Sequence, residues 1–133
     1  MRTEEHIRHL RESMREIEEA IEMGLTEKQR TLGFHISVAS VDMLEIFLHK
    51  LGLLDVSQIL KHNDFTSKRK ALSKLNFDFP HKEKILNLMI EVENKRNQLC
   101  YGKRKNKQEL EEIVMKFEEL KKIFEREGVL DEL

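Results

Sequence analysis

Along nearly the whole of this 133-residue chain, apolar residues recur at steps of three and four. That spacing lines one face of an α-helix and cannot line one face of a strand. Ile7, Leu10, Met14, Ile17 and Ile21 mark a first helix that Gly24 can end. Thr26-Glu27-Lys28-Gln29 reads as a capping box opening a second helix, which Gly52 closes. Asp64 or Thr66 can cap a brief third helix ending near Leu75, and Asn76 to Pro80 breaks the chain. A fourth helix runs from about His81 to about Tyr101, with Ile85, Leu88, Met89 and Val92 on its buried stripe. Asn106-Lys107-Gln108-Glu109 is a second capping box. It opens a fifth helix with Leu110, Ile113, Val114, Phe117, Leu120 and Phe124 as its apolar set. One proline and five glycines leave little material for tight β-turns. The pattern predicts an all-α fold, an antiparallel bundle of four long helices plus one short helix, as a single domain over residues 1–133.

The second helix is not simply amphipathic. Phe34, Ile36, Val38, Ala39, Val41, Met43, Leu44, Ile46, Phe47 and Leu48 cover far more than one face. A helix apolar on most sides must be buried on most sides. The expected cover is a second copy of the chain, giving a homodimer through the second and fourth helices. The alternative is that the segment Leu53–Leu75 folds over it.

Charge and cysteine content narrow the setting. Charged residues make up 37% of the chain, yet the formal net charge is only -1. The two signs are interspersed, as on solvated helix faces, so no whole-molecule field recruits a polyanion or a membrane. Cys100 is the only cysteine, which excludes an internal disulfide and leads us to expect a reducing, cytoplasmic setting. No uninterrupted apolar run approaches the roughly 20 residues of a membrane helix. Residues 1–5 do not resemble a signal peptide, and no membrane partner is expected.

The fourth helix carries the most informative position. Continuing its buried spacing past Val92 lands on Arg96 and then Leu99. A guanidinium drawn into packing is costly unless a carboxylate pairs with it or an anion visits it. Lys95, Arg96, Lys103, Arg104, Lys105 and Lys107 also form the one sizeable basic block, with no acidic residue between Asn94 and Gln108. It straddles the turn between the fourth and fifth helices. The block reads either as a solvated loop favouring a helix C-terminus or as a local phosphate site. The buried register of Arg96 favours phosphate.

The run Arg96-Asn97-Gln98-Leu99-Cys100-Tyr101-Gly102, near the end of the penultimate long helix of an all-α chain, resembles the motif of HEPN domains (higher eukaryotes and prokaryotes nucleotide-binding). The resemblance covers the second to fifth helices. It implies a dimeric, metal-independent ribonuclease, often the toxin half of a prokaryotic toxin–antitoxin or defence system, with no cofactor. It casts Arg96 as the clamp on the scissile phosphate and Asn97 as its orienting neighbour, with Lys95, Lys103, Arg104 and Lys105 binding substrate. The family histidine, which handles the proton of the attacking ribose 2′-hydroxyl, falls at Tyr101. A phenol with a reference pKa of about 10 is a poor base near pH 7. Losing a positioned general base typically costs ~10²–10⁴ in rate, although a tyrosine can hydrogen-bond a phosphate or stack on a base. In related toxins a partner nucleotidyltransferase adenylylates a tyrosine two residues beyond the histidine. That position is Lys103 here, so this modification does not carry over. The alternative to an enzyme is a non-catalytic binding or assembly module, possible partner of a nucleotidyltransferase antitoxin. A third reading has Arg96 only fixing a dimer through a carboxylate.

Other polar residues are candidates by position. His35, Asp42 and His49 are spaced by seven, with Glu45 nearly in line. Asp42 or Glu45 is the expected partner of Arg96, because a buried guanidinium wants a carboxylate. His35 or Asp42 could supply the acid–base chemistry that Tyr101 lacks. No Glu-x-x-His pair of the di-iron type occurs. His6-x-x-His9 and the set Asp42, Glu45, His49 each lack a second ligand cluster, so surface histidines and no metal are expected. Cys100 reads as a packing thiol, the glycines form no P-loop, and Phe77 and Phe79 read as core anchors of the loop around Pro80.

Overall fold

The computed structural model describes all of residues 1–133. It is entirely helical: α1 Thr3–Met23, α2 Gln29–Lys50, a 3₁₀ turn His62–Phe65, α3 Lys68–Lys74, α4 Lys82–Tyr101 and α5 Lys107–Arg126. The expected four long helices and one short one are present. α2 lies at the centre, packed against α1, α4 and α5. Side-chain pairings give the directions. His6 meets Asp42 while Ser13 meets His35, so α1 and α2 run antiparallel. Gly33 faces Leu99 while Ser37 meets Glu93, so α2 and α4 do too.

This placement explains the composition of α2. Fourteen of its residues, from Gln29 to Leu48, are buried. Its cover comes from α1, α4 and α5, helped by Leu54, Leu60 and Phe65 of the following segment. Most of the burial assigned from sequence to a second subunit is thus met within one chain, although Phe34 stays 44% exposed. By length and composition α2 would also pass for a membrane helix, with a mean hydropathy of 1.4, but 72% of that window is buried in the bundle. Phe47 sits at the heart of the core, edge-on to Phe79 and Phe124, and Phe77 packs at a tilt against Phe79. The loop around Pro80 is anchored as its phenylalanines suggested.

Helix ends follow local chemistry with two departures. Gly52, at φ 73°, is the left-handed residue closing α2: Leu53 N–H donates to Leu48 O at 2.9 Å and Gly52 N–H to His49 O at 3.0 Å. Asn106 caps α5 by accepting from Glu109 N–H at 2.9 Å. The Thr26–Gln29 capping box does not form. Lys28 precedes the helix without a side-chain bond, because the Gln29 amide is engaged elsewhere. α3 is capped by Ser67, whose oxygen accepts from Lys70 N–H, and not by Asp64 or Thr66. Asp64 instead accepts from Lys61 N–H in the 3₁₀ turn.

α1 is rotated from its expected stripe. Its buried residues are His6, Leu10, Ser13, Ile17 and Ala20. Ile7 and Met14 are only partly buried, and Ile21 is 45% exposed. The face of α2 that α1 covers carries Asp42, Glu45 and the approach to His35, so polar residues of α1 turn inward to meet them.

Candidate functional site

Arg96 lies on the α2-facing side of α4 and is 8% exposed. The approach of the two helices is tight just beyond it: a Cβ built on Gly33 would sit 2.7 Å from Leu99 Cβ and 3.4 Å from Cys100 Sγ. Glycine lets the α2 backbone come this close, and the last turns of α4 are drawn against it. No carboxylate lies within 4.0 Å of the Arg96 guanidinium. Its Nη1 reaches Asn97 Oδ1 only at 3.5 Å, and its Nε is buried without a partner. A buried guanidinium nitrogen in this condition has lost its hydration and gained nothing in return.

The expected partners of Arg96 face the other way. Asp42 and Glu45 contact His6 of α1, and His35 is hydrogen-bonded to Ser13 at 3.2 Å. They project toward α1 because that helix, not α4, covers their side of α2. Burial holds His35 below the ordinary histidine value, with Glu16 and Glu12 opposing. The nearest carboxylate along α4 is Glu93, one turn before Arg96, and it too is engaged. Ser37 Oγ donates to it at 3.1 Å and His62 Nδ1 lies 2.7 Å away. Glu93 is 2% exposed, while the His62 side chain at 38% reaches solvent.

The end of α4 and the turn after it are open and basic. Tyr101 is 73% exposed, with the Arg30 guanidinium 6.0 Å from its ring centre. Asn97, Lys103 and Arg104 are exposed and Lys105 half-buried. The turn carrying them is tied to α2 by Gln29, whose Nε2 donates to Leu99 O at 3.2 Å and Lys103 O at 3.1 Å. Its Oε1 accepts from Lys105 N–H at 2.7 Å. Arg104 also donates to the Thr26 carbonyl. Lys95 does not join this group. It lies in the wall of a pocket of about 300 Å³ between α4 and α5, beside Glu91, Glu112 and Lys116, surroundings unsuited to phosphate. Cys100 is half-buried against the Arg30 carbonyl. Burial pushes its thiol up, against the pull of Arg96 and Arg30, which suits packing and not nucleophilic attack.

A second polar cluster lies between α1 and α2. His6 Nδ1 is 2.8 Å from Asp42 Oδ1, and its Nε2 touches Glu45 Oε2. His49 Nε2 is 4.0 Å from the same Glu45 oxygen. His6 is 3% exposed and Glu45 fully buried. Burial lowers His6, but hydrogen bonds and charge from Asp42 and Glu45 outweigh it and hold the imidazole up at about 9. Burial raises Asp42, with His6 pulling the other way. These are not surface histidines. His6 of the first set joins Asp42, Glu45 and His49 in one buried group, His9 staying outside it, and His6, Glu45 and His49 are the residues able to hold a metal ion.

Gln29, the Glu93–His62 pair and His6 had not been singled out for these roles. For His6 a signal existed: it follows the 3–4 spacing with Leu10, Ser13 and Ile17, and Glu45 and His49 stand at i, i+4. Comparisons with protein-family models, with curated proteins and with solved structures return no match to the chain.

Proposed function

We propose that the face formed by α2 and the end of α4 is a phosphate-binding groove for RNA or a nucleotide. The domain is read as an HEPN-like, ribonuclease-type module of a prokaryotic toxin–antitoxin or defence system, acting in the cytoplasm. The observation that carries this reading is the buried Arg96 guanidinium without a carboxylate. A phosphate meets its need, since the planar fork donates in parallel to two anionic oxygens. Asn97 touches the guanidinium, and Tyr101, Arg30 and the Gln29-tethered basic turn lie further along the end of α4. Pairing of two copies through α2 and α4 would set two Arg96 sites across one cleft. Phe34, 44% exposed, and Tyr101 supply apolar surface for that contact.

The proton-transfer group missing at Tyr101 is assigned to His62. Its imidazole is held by the buried Glu93 carboxylate, one helical turn from Arg96. In this scheme His62 takes the proton of the 2′-hydroxyl, the oxygen attacks phosphorus, and Arg96 holds the phosphate charge as it grows. A cyclic 2′,3′-phosphate forms and the 5′-oxygen departs with a proton from solvent. The second reading is a binding or assembly module, paired with a nucleotidyltransferase. The open Tyr101 ring, suited to stacking on a base, favours it.

Incubation with end-labelled RNA in EDTA separates these readings. The enzyme yields products ending in 2′,3′-cyclic phosphate, lost in Arg96→Ala and reduced at least ~10²-fold in His62→Ala. Salt-dependent RNA binding without cleavage identifies the binding module. RNA affinity equal in wild type and Arg96→Ala refutes both.

A further inference from the structure

From the geometry between α1 and α2 we infer a transition-metal site of the zinc class, with His6 Nε2, Glu45 Oε2 and His49 Nε2 as its protein ligands. The three atoms lie within 4.8 Å of one another. His6 Nε2 and Glu45 Oε2 meet only each other, and His49 Nε2 is buried with no partner. A fold rarely leaves one buried polar atom unmet, and here the unmet His49 nitrogen stands beside the His6–Glu45 contact.

The other polar atom of each ligand is already engaged. His49 Nδ1 is 3.0 Å from the Leu54 carbonyl, His6 Nδ1 is 2.8 Å from Asp42, and Glu45 Oε1 accepts from Leu60 N–H. This is the outer support by which proteins aim metal-binding imidazoles and carboxylates. It also bears on His49. A carbonyl only accepts, so Nδ1 carries a hydrogen, and in the neutral imidazole Nε2 presents a lone pair. That lone pair faces a carboxylate oxygen 4.0 Å away across a buried space. Two lone pairs aimed at each other repel, and a cation between them removes the repulsion. A proton on His6 answers the carboxylates of Asp42 and Glu45 but leaves His49 unmet.

The donor set selects the ion. Two imidazoles and one carboxylate suit Zn²⁺, with a fourth position left for solvent, whereas Ca²⁺ and Mg²⁺ require oxygen ligands. Tetrahedral coordination with bonds of about 2.0–2.1 Å puts ligand atoms roughly 3.3 Å apart. His49 therefore moves inward and the His6–Glu45 contact opens when the ion enters. A pocket of about 360 Å³, with His49, Thr3 and Glu4 in its wall, leads from solvent to the His49 side. Once filled, the site clamps the start of α1 to the second half of α2 and to the 54–60 segment, far along α2 from Gly33 and the Arg96 face.

The test uses the full chain, dialysed against EDTA and titrated with Zn²⁺ by calorimetry and with Co²⁺ by visible absorption. The expected result is one ion per chain and the intense d–d bands of tetrahedral cobalt. His49→Ala and Glu45→Gln abolish the bands and weaken Zn²⁺ binding at least ~10²-fold; Asp42→Asn weakens it ~10–100-fold. His9→Ala changes nothing. Circular dichroism confirms that each variant is folded; if Glu45→Gln is not, His49→Gln carries the test. Absence of stoichiometric binding in the wild type overturns the inference. So does binding lost in His9→Ala and kept in folded His49→Ala.

Discussion

Replacing Arg96 by methionine should make the protein more stable and deprive it of its ligand. The guanidinium is 8% exposed, has no carboxylate within 4.0 Å, and makes one long contact at 3.5 Å to Asn97. Methionine keeps most of the apolar stem and its packing while removing the unpaired charge. Exchanging buried charges for apolar groups of similar volume is commonly neutral or stabilising, by about 1–4 kcal/mol. Because the lost Asn97 contact is weak, we expect a gain of about 1–3 kcal/mol. In a 133-residue chain that is roughly 3–5 °C in Tm for each kcal/mol. Urea denaturation at low salt should show the midpoint moving up with an unchanged slope. RNA should raise the midpoint of the wild type and leave that of Arg96→Met unmoved. A variant destabilised by more than about 1 kcal/mol would refute the reasoning, because Arg96 would then be a satisfied structural group and not a waiting anion site.

Three further outcomes follow from the same geometry. Gln29→Ala removes three hydrogen bonds to the α4–α5 turn; we expect a loss of about 1–3 kcal/mol and faster amide exchange at Lys105. Gly33→Ala forces a Cβ to within 2.7 Å of Leu99 Cβ; overpacking should outweigh the gain in helix propensity, for a net loss of roughly 1–2 kcal/mol in thermal melts. Burial raises the Cys100 thiol, so its thiolate fraction near pH 8 is smaller than that of a free thiol. Alkylation should be slower than for a model thiol and keep accelerating as pH climbs beyond the ordinary cysteine range; a rate plateau below it would contradict the placement.

Helix number, order and several ends were readable because they depend on neighbours within one turn. The 3–4 spacing on α4 and α5 and the Gly52 and Asn106 ends are properties of short stretches. The inward register of Arg96 was equally local, set by Val92 before it and Leu99 after it. Prediction failed where a side chain had a choice of distant partners. Gln29 completes a capping box by pattern, yet three backbone groups of the end of α4 and the turn after it compete for its amide and win. His6 and Ser13 look like surface residues until α2 presents Asp42, Glu45 and His35 to them.

The chain by itself therefore determined an all-α bundle and a cationic side chain turned into its packing, since periodicity and register are intrinsic to a helix. Only tertiary structure decided which face of α2 each neighbour covers. That choice withheld Asp42 and Glu45 from Arg96 and gave them to His6. A carboxylate buried between helices goes to whichever donor the packing brings within reach, and helix–helix packing depends on the shapes of whole surfaces, not on the spacing of residues along one strand of sequence.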